Sequence, residues 1–289
     1  MAVGNHVENP FEYALKHLVE AFSGPARRKS AAARAAARVE PRVRRIEAAD
    51  IAASLKKGLA DFGAARDDVV FIAIIYPLAG LVLAAVAMRY ELLPMVFPLL
   101  SGFALVGPLA AVGLYEISRR RELGERVSWM DAAGVLRSPA IGSIVGMGLI
   151  LLGLFALWLA TAYEISLLAF AEGPPPTAEI FVNQVFATGG GQAMIVIGIG
   201  VGFLFAVVAL ALSVVSFPLL LDKQVDLDVA LRTSLKVVAA NPGTMALWGL
   251  IVAAALVLGS IPALVGLIVV VPVLGHATWH LYRRAVAFD

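Results

Sequence analysis

Two histidines stand four residues apart in GHATWHLYRR, His276 and His280, so a helix would carry both on one face. Imidazoles at that spacing suit metal or haem ligation, because a neutral ring nitrogen is a good ligand for zinc, copper and haem iron. Two other readings compete: a buried pair hydrogen-bonded between helices, or a headgroup-level anchor beside Trp279, Tyr282, Arg283 and Arg284. HATWH lacks the Glu that follows the first His in a zinc-protease helix, and the only other histidines are the distant His6 and His17. A haem held within a membrane normally needs a second helix to supply a ligand. No cofactor and no catalytic residue is therefore expected, and His276 is expected to be structural.

The next charged group at helical spacing is Glu116, Arg119 and Arg120 in GPLAAVGLYEISRRRELG, where i, i+3 and i, i+4 separations favour a local ion pair. Pro108 precedes Arg119-Arg120 by the same interval as Pro272 precedes Arg283-Arg284. Superposing the two prolines aligns Glu116 with His280, so the two groups could meet across helices. Glu116, Arg119, Arg120, His276, His280 and Arg283 thus make one candidate polar cluster. There is no Cys, which excludes thiolate nucleophiles, iron–sulfur clusters and Cys-based zinc sites.

The elements that must position these residues belong to a lipid-soluble chain. Hydrophobic residues make up 60% of the 289 and charged residues only 15%, with a mean hydropathy of +0.87. A soluble domain is about a quarter charged. Six stretches reach the roughly 20 apolar residues that a membrane helix needs. They are residues 69–88, 92–114, 141–163, 193–219, 244–259 and 261–281, with Pro262 the only clear break between the last two. A re-entrant pair is the alternative there. In a six-span arrangement Arg89 is the only Lys or Arg on one side, and by the positive-inside rule the other side, with both termini, is cytoplasmic. The expected fold is all-α: six transmembrane helices as three hairpins, each preceded by a cytoplasmic amphipathic helix.

Those amphipathic helices are expected at residues 48–62, with Ile51, Leu55, Leu59 and Phe62 as the apolar stripe, at 128–138, and at 225–242. The words Ser54-Leu55-Lys56 and Ser234-Leu235-Lys236 align between the first and third, which suggests three repeated units. The one sizeable outer loop, residues 164–192, contains three consecutive prolines, a short helix at 180–186, and a Gly189–Gly191 run read as a flexible re-entry.

Residues 1–46 read as a cytoplasmic arm and residues 47–289 as the membrane domain. In the arm, Phe11, Leu15, Leu18 and Phe22 share a helical face, and an Ala/Arg-rich linker with Arg27, Arg28 and Lys29 follows. These residues are expected to contact a protein partner or the anionic cytoplasmic leaflet. The linker has no interleaved aromatics, so no nucleic acid is expected.

The stretches at 97–124, 216–242 and 275–284 resemble the bacterial integral membrane family called domain of unknown function 2189. The resemblance covers roughly residues 48–284. It implies a polytopic inner-membrane protein without an established activity, although some members carry a cytochrome c oxidase subunit label. A haem–copper subunit needs about six His ligands on several helices, and the spans here hold only His276 and His280. The expected role is a non-enzymatic accessory, assembly or organising component of a membrane complex. The alternatives are a transporter or channel for an uncharged or amphipathic solute, and a haem- or metal-binding protein using His276 and His280.

Overall fold

A computed structural model describes residues 41–64, 75–89, 92–125, 127–170, 173, 175 and 177–288. The arm residues Phe11, Leu15, Leu18, Phe22, Arg27, Arg28 and Lys29 lie outside the described residues, as does the start of the first expected span.

The described chain is mostly helical. Its helices are α1 (Ala48–Ala64), α2 (Ile75–Arg89), α3 (Val96–Phe103), α4 (Gly107–Ala110), α5 (Val112–Glu122), α6 (Trp129–Ala132), α7 (Ile141–Ala169), α8 (Ala178–Ala187), α9 (Gly189–Ser213), α10 (Ser216–Lys223), α11 (Leu227–Ala240), α12 (Pro242–Ser260) and α13 (Leu267–Ala285). One feature departs from all-α. Strands β1 (Arg42–Val43) and β2 (Val286–Ala287) pair antiparallel, so residues that the sequence places in the arm are joined to the chain's other end. Pairings this short and this distant leave no periodic trace in a sequence.

Among the described residues, four stretches are long and apolar enough to cross a membrane: Leu93–Glu122, Ile141–Ala169, Gly189–Lys223 and Pro242–Ser260. The chain is an integral membrane protein with several apolar helices. Helix α7 is 29 residues long, about 43 Å at 1.5 Å per residue, so it outruns the hydrocarbon and takes Glu164 into its last turns.

Glycines set the tightest contacts. Trp158 of α7 is wedged between Gly102 of α3 and Gly202 of α9, and its Nε1 donates to the Pro98 carbonyl at 3.0 Å. Gly191 faces the backbone of Gln184 and Val185 too closely for any side chain. The Gly189–Gly191 run is therefore the first turn of α9 rather than a flexible re-entry, and glycine is needed there for close approach. Thr188 caps that turn, its hydroxyl accepting from the Gly191 N–H at 3.0 Å. Thr188→Ala is expected to lower stability by about 1 kcal/mol, read as a drop in the thermal midpoint in detergent.

The packing has a cyclic order. Helix α1 lies on α13, α6 and the 3₁₀ turn Ala133–Arg137 lie on α5, and α11 lies on α9 and α10. The ends α5, α10 and α13 touch one another in turn. Each short helix thus covers the C-terminal end of a long helix from the preceding third of the chain, and the first third closes on the last. Ser54 of α1 and Ser234 of α11, the matched words in the sequence, are both fully buried, and neither hydroxyl finds a partner among the described residues. A small side chain lets each helix seat closely.

The buried face of α1 holds only part of the expected stripe, Ile51 and Phe62 with Leu55 half-buried. Ile51, Ser54, Gly58, Asp61 and Phe62 face inward, while Leu59 is 58% exposed. In α11 the inward residues are Ala230, Thr233, Ser234 and Val237, and Leu235 points out. Close crossings select small inward residues, which shifts the buried face away from the leucines.

Candidate functional site

The polar residues gather where α1, α5 and α13 meet. Helix α13 brings His276 and His280 there because its second half, after Pro272, is covered by α1 and α5. An added Cβ on Gly275 would meet Leu114 of α5 at 2.7 Å, and one on Gly58 would meet the Ala277 backbone at 2.6 Å. The three backbones are drawn close enough for short side chains to bridge them.

Asp61 of α1 is the centre. Its Oδ2 accepts from Ser118 Oγ of α5 at 2.7 Å and lies 2.8 Å from His280 Nε2. Ser118 Oγ is also 2.8 Å from His276 Nδ1. A carboxylate can only accept, so the Ser118 hydroxyl donates to Asp61 and its oxygen accepts from the Nδ1–H of His276. His280 donates to the same carboxylate. The result is a chain, His280 to Asp61 from one side and His276 through Ser118 from the other, with every proton directed at Asp61. His276 Nε2 is buried and has no hydrogen-bond partner among the described residues.

Burial alone would raise the Asp61 carboxyl. Hydrogen bonds from His280 and Ser118, together with the two nearby imidazoles, outweigh it and hold the group below the ordinary carboxylate range. Arg121 closes the site, donating from a terminal guanidinium nitrogen to the Asp61 carbonyl at 2.8 Å.

The expected single cluster divides into three. Glu116 is only 3% exposed and forms the local ion pair read from the sequence, at 2.8 Å to Arg119 and 2.7 Å to Arg120. Arg120 continues to Asp131, also at 2.7 Å. Glu116 and His280 do not pair, because Asp61 occupies the place facing His280. The third group holds Arg283 between Glu122 and Asp222. There the Trp279 Nε1 donates to Glu122 at 3.0 Å and the Tyr282 hydroxyl to Asp222 at 2.8 Å. Trp279 and Tyr282 are buried in protein, 1% and 0% exposed, so they do not form an interfacial belt.

Asp61 and Ser118 are absent from the sequence-based cluster. Asp61 looks like a solvent-facing charge on an amphipathic helix, and Ser118 is one serine among many. Among the described residues no group of three or more His, Cys, Asp or Glu side chains could hold a metal ion.

Residues 96–222 match the model of the family described as predicted integral membrane protein (DUF2189). That match is narrower than the resemblance over residues 48–284. It takes in Glu116, Ser118, Arg119 and Arg120 but neither Asp61 nor the histidines. Comparison with curated proteins and with solved structures gave no match.

Proposed function

We propose that the chain is a non-enzymatic accessory, assembly or organising component of a bacterial inner-membrane complex. The observation that carries this reading is the closure of the polar network. The groups best suited to chemistry, Asp61, Glu116, His276 and His280, are all buried and engaged with side chains of this same chain. Such a network fixes how α1, α5 and α13 sit together, which is the work of a scaffold.

In this reading there are six crossings with both ends in the cytoplasm. The two beyond the four long apolar stretches are α2 with the residues before it, and α13. The short helices α1 and α11 lie at the cytoplasmic surface, where Leu59 with Lys56 and Lys57, and Leu235 with Lys236, face the anionic leaflet. The arm, residues 1–40, reaches for a protein partner.

Reporter fusions at Gly173 and at the C-terminus are expected to read periplasmic and cytoplasmic. A stoichiometric complex on native gels of solubilised membranes is expected to disappear when residues 2–40 are deleted, with the thermal midpoint of the purified bundle unchanged. A chain that runs alone in both forms would overturn the proposal.

A second reading, passage of an uncharged or amphipathic solute, is favoured by one observation. A largely apolar cleft of about 170 Å³ lies between α3–α5, α12 and α13, lined by Leu100, Tyr115, Leu256, Ser260, Leu274 and Thr278 among others. Uptake of a lipophilic dye into proteoliposomes that is blocked by Ala104→Trp, an exposed position lining the cleft, would favour this reading over the scaffold.

A further inference from the structure

The strip Arg42–Ile46 is held more firmly than a linker between arm and bundle would need to be. Its strand pairs with β2 in register Arg42 to Ala287 and Val43 to Val286. Beyond the strand, the Arg44 N–H donates to the Ala285 carbonyl at 2.8 Å. Asn241 then grips it from two sides, donating from Nδ2 to the Arg44 carbonyl at 3.0 Å and accepting from the Ile46 N–H at 2.8 Å. Thr244 adds a hydroxyl to the Ile46 carbonyl at 2.9 Å.

This anchoring fixes the depth of the strip. Asn241 and Thr244 flank Pro242, the first residue of the apolar span α12, so the strip sits where that helix leaves water. The headgroup layer on each side of a bilayer is about 6 Å thick, which places the strip at headgroup level.

Three guanidinium groups project from this fixed ribbon. Arg42, Arg44 and Arg45 are exposed, Ile46 is buried, and the three arginines with Val43 and Ala287 line a cleft of about 530 Å³. Among the described residues, Arg284 pairs with Asp50, Arg283 with Glu122 and Asp222, and Arg119 and Arg120 with Glu116. Arg44 and Arg45 take part in none of the ion pairs among the described residues. Planar guanidinium forks of this kind match the oxygens of a phosphate ester.

We propose that Arg44 and Arg45, clamped beside Arg42 at the membrane entry of α12, form a binding site for the phosphate of an anionic phospholipid. The site rests on the reading of this face as the headgroup side, and it orients the protein by holding the start of the last two helices to the leaflet.

The test uses the full chain in nanodiscs containing phosphatidylcholine alone or mixed with phosphatidylglycerol. Phosphatidylglycerol retained through detergent exchange is counted by native mass spectrometry. The double variant Arg44→Gln/Arg45→Gln, whose side chains are exposed and whose fold is checked by its thermal midpoint, is expected to retain ~tenfold less phosphatidylglycerol. Lys56→Gln/Lys57→Gln, an equal loss of charge on the leaflet-facing side of α1, is expected to retain only roughly twofold less, as diffuse attraction would give. Equal losses in both variants would mean diffuse attraction and overturn the site. Inorganic phosphate that broadens its ³¹P line with the parent but not with the arginine variant, and that displaces the lipid, would reassign the site to a soluble phosphate. The protein is purified without partners, so a failed lipid result leaves the scaffold reading to its own test.

Discussion

Gly58→Ala is expected to destabilise the bundle by about 2 kcal/mol, even though alanine is the better helix former by about 1 kcal/mol. The new methyl would lie 2.6 Å from the Ala277 nitrogen and 2.8 Å from the Val273 carbonyl oxygen. Both are backbone atoms of α13, so neither can rotate away, and relief requires α1 to lift off. Gly58→Leu should then yield no folded species in detergent. Gly63, five residues on in the same helix, has nothing within 4 Å of such a methyl, so Gly63→Ala should be neutral or stabilising by up to about 1 kcal/mol. The opposed signs of one substitution at two glycines separate close packing from helix propensity. Thermal unfolding by circular dichroism reads both, and a Gly58→Ala midpoint at or above the parent's would mean that α1 does not ride directly on α13.

Asp61→Ala is expected to cost about 3 kcal/mol, because it strips the shared acceptor from Ser118 and His280 and leaves buried donors unpaired. Asp61→Asn keeps an acceptor of the same shape but not the charge, so its cost should be smaller and should depend on pH. The sign follows from the lowered carboxyl. A group whose folded pKa lies below its unfolded value stabilises fully above the unfolded value, near pH ~4, and that stability is lost as pH falls through the folded one. The gap in thermal midpoint between the parent and Asp61→Asn should be full at neutrality and shrink in acid below pH ~4. A gap that stays constant across that range would show that the Asp61 charge contributes nothing. Combining Asp61→Ala with His280→Ala should cost less than the sum of the two, since either change alone already breaks the contact.

The sequence by itself determined the class of molecule and where three of its long apolar helices lie, though not their exact ends. Composition and run length are additive properties of residues in lipid, so residues 141–163, 193–219 and 244–259 each fall within one long apolar stretch of the structure. The Glu116 ion pair was equally legible, because i, i+3 and i, i+4 contacts are fixed by helix geometry alone. Only the tertiary structure decided what faces the histidines. The acceptor of His280, Asp61, is more than two hundred residues away, on a helix whose apolar pattern points Leu59 inward and Asp61 outward. Periodicity reads hydrophobicity. The α1–α13 crossing is governed instead by how near two backbones can come, and Gly58, Ser54 and Ala277 allow an approach that rotates the helix until its acid is inside. The β1–β2 pairing and the Asn241 clamp were unreadable for a related reason. The pairing joins backbone groups that carry no side-chain signature, and the clamp joins one amide side chain to such groups; the chain's closure on itself brings them together.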